Sequence, residues 1–347
     1  MDRPRIERSF YFLMVSASVV IVIAGLRAAS SIIVPFLIAV FVAMISIPLQ
    51  NWLLAHKAPT SLAVLLTILA DMLVLVGLGF LIGGSVQGFA EAAPKYLARL
   101  TVMAKSLIAW LNGLGIGEIS SEAVTEFLNP GMVFGILNNM VRGAATVVSN
   151  FVLIFLTIAF VLLEAAGFPA KLERALGRAA KSSARFDKIK GDVQQYLVVK
   201  TLVCLITGLL VGIALALIGL DFPVLWGLLA FLLNYVPSLG SIIAAVPPVL
   251  LAIIQFGSGR AIAVAIVFII INLLLGNLVE PNLMGRRLGL SALVVFLSLV
   301  FWGWVWGPVG MLLSVPLTMI AKIMLENTED LRWIAVLLGP GKERAKG

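Results

Sequence analysis

Long apolar runs, each close to the length that crosses a bilayer, constrain this chain more than any other feature of its sequence. A transmembrane helix needs about 20 predominantly apolar residues. Uninterrupted runs of this kind occupy residues 10–26, 32–54, 62–83, 143–163, 196–220 and 261–279. Of all residues 61% are hydrophobic and 12% are charged, whereas soluble domains average about 45–50% and about 25%. The sequence therefore predicts an all-α polytopic membrane protein and excludes a soluble enzyme or a disordered chain.

The composition also limits the chemistry that the chain can perform. Its single cysteine (Cys204) and single histidine (His56) exclude disulfide frameworks, thiolate metal sites and most histidine-based catalysis. The ATP-binding motif G-x-x-x-x-G-K-[ST] does not occur. We therefore expect no enzyme activity and no cofactor, and transport that is passive or driven by an ion gradient. The excess of 25 basic over 17 acidic residues indicates topology and lipid contact rather than nucleic-acid binding.

Loop charges predict the orientation of the spans, because Lys and Arg stay in short cytoplasmic loops. Basic residues cluster at the N-terminus, between the fourth and fifth spans and in the C-terminal tail, so both termini are predicted to be cytoplasmic. The predicted parts are three spans (1–84), an external amphipathic segment (85–140), a fourth span (141–164), a cytoplasmic basic helix (165–195), a C-terminal core with two broken hairpins (196–326) and a cytoplasmic tail (327–347).

Within the external segment, residues 93–112 have a helical periodicity. Their apolar side chains recur at spacings of three and four, which predicts an amphipathic helix. This helix lies either at the outer membrane interface or against the protein's own spans. The apolar positions are Tyr96, Leu100, Met103, Leu107 and Leu111.

The basic helix presents a cationic stripe, because its Lys and Arg residues also recur at spacings of three and four. Such a stripe either binds anionic lipid headgroups, at about 1 kcal/mol per basic residue, or only enforces orientation. Its members are Lys171, Arg174, Arg178, Lys181, Arg185 and Lys188.

Helix-breaking residues interrupt two apolar regions of the C-terminal core. The first holds Pro237, Gly240 and Pro247, with Asn234 beside the break, and the second extends over residues 288–325 with Gly307, Gly310 and Pro316. Broken helices at membrane depth are tolerated only inside protein or beside a water-filled cavity. Transporters use them to form substrate and ion sites, although kinked packing is the simpler alternative.

A second polar cluster lies in NLLLGNLVEPNLMGRR, residues 272–287. With α-helical spacing, Asn277 and Glu280 share a face, Asn272 lies about a turn and a half earlier, and Pro281 frees the carbonyl of Asn277. Intramembrane acids are costly and usually functional. Glu280 is predicted to bind a cation, to carry a proton or to form a salt bridge with Arg286 or Arg287.

Other charged residues of the apolar runs have simpler interpretations. Asp71 is a lone acid in the third span and a candidate ion ligand. Lys200, Lys322 and Glu326 lie near span ends, where their side chains can reach the interface.

Three motifs together resemble the autoinducer-2 exporter family of bacterial inner-membrane proteins. They are GLDFPVLWGLLAFLLNYVPSLGSIIAAVPPVLLAI, then NLVEPNLMGRRLGL, then WGWVWGPVGMLLSVPL, and the likeness covers nearly the whole chain. One departure is LGLSAL, where the family often has a proline in place of Ala292. The resemblance implies about eight membrane helices, a homo-oligomer that is pentameric, and secondary transport. The family's pattern falls on Pro237, Gly240, Pro247, Glu280, Pro281, Gly285, Gly307, Gly310 and Pro316.

These observations lead to a prediction of function with two alternatives. The chain is predicted to export a small polar solute by alternating access, with the C-terminal hairpins forming the site. The first alternative is a monovalent cation/proton antiporter that moves H⁺ or Na⁺ with Glu280 and Asp71. The second is an envelope scaffold that transports nothing.

Overall fold

The computed structural model describes residues 3–113, 150–176, 180–237, 239–284, 289–326, 328 and 331–339. Regular structure in these residues is helical, and they contain no strand. The helices are α1 (Arg3–Ala28), α2 (Ser30–Ala55), α3 (Thr60–Gly113), α4 (Phe151–Leu176), α5 (Ala180–Ile218), α6 (Pro223–Leu233), α7 (Gly240–Phe256), α8 (Ser258–Ile271), a π-helix (Asn272–Val279), α9 (Glu280–Met284), α10 (Ala292–Glu326) and α11 (Arg332–Leu337).

Much of this helical structure has the length and composition of membrane spans. Five stretches among the described residues are long and apolar enough to cross a bilayer, namely Ser30–Ala55, Thr60–Met103, Gly191–Ile218, Ser258–Leu283 and Ala292–Glu326. Shorter apolar helices are Leu13–Ala28, Phe151–Glu164, Pro223–Leu233 and Gly240–Phe256. Many of their large apolar side chains are exposed, to an extent that soluble monomers rarely show. The structure therefore confirms an all-α polytopic membrane protein.

The third predicted span and the segment after it form one continuous helix. α3 has 54 residues and contains Pro94 without ending there. At 1.5 Å per residue it is about 80 Å long, whereas the hydrocarbon core is about 30 Å thick. The boundary expected at residue 84 thus falls inside a helix that is much longer than one membrane crossing.

Of the predicted basic helix, residues 165–195, the structure describes residues 165–176 and 180–195, and these are helical. α4 continues to Leu176 and α5 begins at Ala180. Arg178 lies outside the described residues, as do the side chains of the other five members of the cationic stripe. The stripe's contact with lipid therefore stays a prediction.

The chain divides into two compact units. The first comprises Met1–Val64, Val152–Leu197 and Arg287–Gly347, and the second comprises Leu65–Phe151 and Val198–Arg286. In the first unit α1, α2 and α10 pack against one another. The indole Nε1 of Trp306 in α10 donates a hydrogen bond to the carbonyl oxygen of Leu26 at 3.1 Å.

α10 is interrupted in its middle, as the sequence predicts. Trp306 and Gly307 have non-helical backbone angles, and the φ of Gly307, 65°, lies in a region that favours glycine. Gly310 comes so close to Trp302 that a Cβ would overlap the Trp302 carbonyl oxygen. The helix continues through Pro316, however, so the prediction of a break there is wrong. Pro316 is buried in the first unit, and tertiary packing holds a helix together across the one hydrogen bond that a proline removes.

In the second unit, a tight turn separates α6 from α7 where a break is predicted. The N–H of Val236 donates to the carbonyl oxygen of Leu233 at 2.8 Å, and the N–H of Gly240 donates to that of Val236 at 3.1 Å. A Cβ on Gly240 would overlap the Leu233 carbonyl oxygen, so the turn requires glycine. Pro237 lies in this turn, but it does not leave the Leu233 carbonyl vacant, because Val236 bonds it.

α7 itself continues through Pro247 and Pro248. The prediction of a break at Pro247 is therefore wrong. Pro248 is buried and packed within the second unit, and packed neighbours can preserve a helix whose ladder loses hydrogen bonds to proline.

Glycines bring α5 and α6 into close contact. A Cβ on Gly208 of α5 would lie 2.7 Å from the carbonyl oxygen of Gly227 in α6. Small residues at a helix contact let two backbones approach closely. The approach places Thr207 of α5 beside Asn234, which caps the C-terminus of α6.

Candidate functional site

The second unit contains an ion pair between two helices, α5 and α9, whose contact the sequence does not predict. The Nζ atom of Lys200 in α5 lies 2.7 Å from Oε1 and 2.9 Å from Oε2 of Glu280 in α9. The side chains are 5% and 19% exposed. A charged pair so poorly exposed, on helices of membrane-spanning character, is typical of functional sites.

This pair corrects the interpretation of Lys200 and gives Glu280 a partner that the sequence does not indicate. Lys200 does not extend to the interface: its ammonium is buried against the carboxylate. Glu280 forms a salt bridge with Lys200. Its predicted partners Arg286 and Arg287 lie outside the described residues, as does Gly285, so a salt bridge with either arginine stays a prediction. Removing one member of a buried pair leaves an uncompensated charge, which costs about 3–5 kcal/mol.

A π-helix immediately before Glu280 sets the direction of its side chain. The N–H of Glu280 donates to the carbonyl of Leu275, five residues back, as in π-helical rather than α-helical pairing. Asn277 is exposed, whereas Glu280 is half-buried. The prediction that Asn277 shares a face with Glu280 is therefore wrong, because it assumed an α-helix, whereas the freed carbonyl of Asn277 stays a prediction.

A row of side chains on α5 extends the site from the ion pair. Lys200, Cys204 and Thr207 are spaced by four and three residues, which places them on one face of the helix, and all three are buried. The amide Nδ2 of Asn234 donates to Thr207 Oγ1 at 3.4 Å and approaches Cys204 Sγ at 3.6 Å. The turn after α6 is thus tied to the same face of α5 that carries Lys200.

Next to this row is a small cavity with a partly polar lining. Its volume is about 10 Å³, which is close to the space that one water molecule needs. Four of the lining residues carry hydroxyl or amide groups, namely Thr207, Asn234, Ser241 and Asn272. Asn272 caps α8 where the π-helix begins, and its Oδ1 lies over Gly276. The polar groups of these four residues, however, contribute little of the surface that faces the cavity.

The structure brings together some of the predicted site residues. Asn234 and Asn272 line the polar cavity, and Glu280 forms the ion pair. Asp71 is buried in α3 but is not among the described residues that line the cavity. Gly307, Gly310 and Pro316 belong to the first unit.

Sequence reasoning missed Lys200, Thr207 and Ser241 as members of the site. The spacing of Lys200, Cys204 and Thr207 in the fifth apolar run is a signal that could have found two of them. Ser241 has no such pattern, since its place beside the cavity depends on the turn between α6 and α7.

Comparison with known proteins gives a consistent result. Residues 16–330 match the family described as AI-2E family transporter. The chain is 40% identical to the AI-2 transport protein TqsA of Escherichia coli over 321 residues, which cover 92% of each protein. It is 35% identical to YhhT of the same organism over 347 residues, 100% of this chain and 99% of that protein.

The apolar helices and this similarity define the protein as a multi-pass membrane transporter. It belongs to the AI-2E transporter family. The resemblance stated from its sequence motifs is thereby confirmed, and an envelope scaffold has no support from the comparisons.

Proposed function

We propose that this protein exports a small polar solute across the bacterial inner membrane by alternating access, with the Lys200–Glu280 pair as its switch. The supporting observation is that the π-helix, an interruption of the α-helical ladder, begins at Asn272 of the polar cavity and ends next to Glu280 of the poorly exposed ion pair. Transporters place substrates and coupling ions at such interruptions. The proposed orientation has both termini in the cytoplasm.

The ion pair provides two states that differ in charge. While Glu280 is ionised, its carboxylate neutralises Lys200, and both groups are stable away from water. When Glu280 takes up a proton, Lys200 loses its counter-charge, which favours a conformation that exposes Lys200 to water or to a solute oxygen. A solute shifts the equilibrium between the two conformations only through contacts that differ between them. A solute oxygen that takes the place of the Glu280 carboxylate beside Lys200 is such a contact.

The polar cavity is closed around a volume near that of one water molecule in this conformation. A solute therefore requires it to widen. Ser241 and Asn234 flank the turn around Gly240, so a movement of this turn would separate them and open the cavity. This makes the α6–α7 pair the mobile element of the proposed cycle.

The first solute to test follows from a relative. Because TqsA is named an AI-2 transport protein, autoinducer-2 is the natural first solute for this chain. We also propose a homo-oligomer, a pentamer as the family resemblance implies, and contact of the cationic stripe with anionic lipids.

A second candidate function is monovalent cation/proton antiport. The observation that favours it is that uncharged residues with hydroxyl and amide groups border the polar cavity, while Glu280 follows the π-helix that begins at Asn272. Hydroxyl and amide oxygens suit a small cation, and Glu280 and Asp71 would then carry protons.

Flux through proteoliposomes tests both functions. The purified protein is reconstituted, and entry of autoinducer-2 or of Na⁺ is measured with and without a pH gradient. Glu280→Gln should abolish flux or remove its dependence on the gradient. The matched control is Glu326→Gln, because Glu326 also pairs with a lysine, Lys322 at 3.3 Å, but is 48% exposed.

The outcomes separate the candidates. Gradient-dependent autoinducer-2 flux that fails only in Glu280→Gln supports the exporter, and the same pattern with Na⁺ supports the antiporter. Wild-type flux in Glu280→Gln, with ordinary insertion and assembly, would show that the ion pair is structural and would remove it from the proposed mechanism.

A further inference from the structure

A large cavity in the second unit is separate from the polar cavity and differs from it in chemistry. It has a volume of about 440 Å³ and is lined by α3, α6 and α7. Phe89, Ala93 and Tyr96 of α3 form one wall, Trp226 and Leu229 of α6 another, and Leu250 belongs to the α7 wall. The volume is about three times that of the engineered 150 Å³ cavity that binds benzene, and it lies within the range of small-molecule pockets.

The two side chains of the lining that carry hydrogen-bond donors already use them on Asp221. The hydroxyl of Tyr96 donates to the carboxylate of Asp221, and the indole Nε1 of Trp226 donates to the carbonyl oxygen of Asp221 at 2.9 Å. The other described lining side chains are apolar. A polar solute entering this cavity would lose hydrogen bonds to water without replacement. The lining therefore selects hydrocarbon.

The surroundings of the cavity indicate where that hydrocarbon comes from. Val246 and Leu250 line the cavity and are also more than half exposed, so the cavity reaches the surface along α7. Ile242 and Ile243 on the same helix are exposed as well. This apolar surface belongs to a helix of a membrane protein, and acyl chains are the solvent that it meets.

The position of the polar residues gives the cavity an orientation. Tyr96 and Trp226 belong to an aromatic cluster with Phe89 and Phe222, and Asp221 lies at its edge. Tyr and Trp are enriched at the level of the lipid headgroups, where one end of the ring is apolar and the other meets water. The end of the cavity near Asp221 therefore corresponds to the headgroup level, and its α7 side to the acyl chains.

We infer that this cavity binds one acyl chain of a membrane lipid. The bound chain fills the space between α3 and the α6–α7 pair and stabilises the arrangement in which they enclose it, since a ligand stabilises the state that binds it. The inference does not depend on which solute is transported.

Fluorescence quenching tests the inference directly. A variant keeps Trp226 as its sole tryptophan, with the other six of the seven tryptophans replaced by Phe, and is reconstituted in phosphatidylcholine brominated in the middle of its acyl chains. Trp226 is 4% exposed, whereas Trp52 of α2 is 57% exposed and serves as the sole tryptophan of the control. An acyl chain in the cavity should quench Trp226 at least as strongly as Trp52. Weak quenching of Trp226 beside strong quenching of Trp52 overturns the inference.

A cavity-filling substitution and a measurement on the wild type complete the test. Ala93→Phe places a ring in the cavity and should reduce quenching of Trp226 at least twofold, whereas Val102→Phe, at an exposed position of the same helix, should not. If Ala93→Phe does not fold, Leu229→Phe serves instead. Native mass spectrometry of the wild-type protein should detect one tightly retained phospholipid per chain.

Three further outcomes would overturn the inference. Quenching of Trp226 that appears only after the oligomer dissociates would mean that a second copy covers the cavity. Protection of Trp226 by added autoinducer-2, at a fixed lipid concentration, would mean that the cavity belongs to the solute. Absence of retained lipid together with weak quenching would mean that the cavity takes no acyl chain.

Discussion

Lys200 and Glu280 are 80 positions apart in the chain, yet the ammonium of Lys200 contacts both carboxylate oxygens of Glu280, at 2.7 and 2.9 Å. The pair joins the first and last helices of the segment Val198–Arg286. Between these ends lie the tight α6–α7 turn and the polar cavity. Any rearrangement that changes the distance between α5 and α9 must therefore break or form this pair.

The ion pair should show strong coupling in a double-mutant cycle. Lys200→Met alone should destabilise the protein by about 3–5 kcal/mol, because it leaves a buried carboxylate unpaired. The double variant Lys200→Met/Glu280→Gln should be more stable than Lys200→Met, since it removes both charges. Thermal unfolding in detergent measures this. Additive effects of the two substitutions would mean that the residues do not pair in the folded protein.

Gly240 should tolerate no side chain. In Gly240→Ala the Cβ overlaps the carbonyl oxygen of Leu233, so the α6–α7 turn must open, and we expect a loss of about 2 kcal/mol or more in stability. Gly259→Ala is the matched control, since a Cβ there has no neighbour within 4 Å. Equal melting temperatures for the two variants would contradict the described turn.

Asn234 and Asn277 should differ in their effect on flux. Asn234→Ala removes the amide between α6 and the Thr207 face of α5, and we expect a loss of about 1–3 kcal/mol in stability with reduced transport. Asn277→Ala changes an exposed side chain and should leave both unchanged within about 0.5 kcal/mol. Measurements of flux and melting temperature on both variants test whether their effects differ in this way. A strong effect at Asn277 with none at Asn234 would contradict this expectation. It would indicate that Asn277 and Glu280 share a helix face, as an α-helical repeat predicts.

The cationic stripe should contribute to lipid binding. Replacing Lys171, Arg174, Arg178 and Lys181 with Gln should weaken association with anionic liposomes, because each basic residue near the surface contributes about 1 kcal/mol. A control that replaces Lys342, Arg344 and Lys346 removes basic charge from the C-terminal tail instead. Co-sedimentation compares the two proteins, and similar binding would restrict the stripe to setting the orientation.

The loop charges also predict the accessible side of two loops. On a background without Cys204, a cysteine at Ser120 should react with an impermeant thiol reagent in intact cells. A cysteine at Ser182 should react only after the membrane is permeabilised. Labelling of position 182 but not of position 120 would invert the whole orientation.

The sequence determined the class of this protein and many of its interruptions. Apolar runs that match the thickness of a bilayer predict helices surrounded by lipid. This inference depends on the sequence of each run alone and requires no knowledge of tertiary contacts. Gly240 and Gly307 were also predictable as breaks, because their neighbours Pro237 and Pro308 lack a backbone donor and glycine permits tight turns. The prolines at positions 247 and 316 misled the same reasoning, since packing keeps α7 and α10 helical through them.

Tertiary structure alone decided the site. Lys200 near a span end has the pattern of a residue that reaches the interface, and only the tertiary structure shows that it meets Glu280. The π-helix changed the face on which Glu280 lies, through one extra residue in a hydrogen-bonded turn that the sequence pattern does not reveal. Local periodicity determines which side of a helix is apolar, because this property depends only on the residues of one or two helical turns. Which polar groups meet depends on how distant helices pack, and the sequence of each helix does not contain that information.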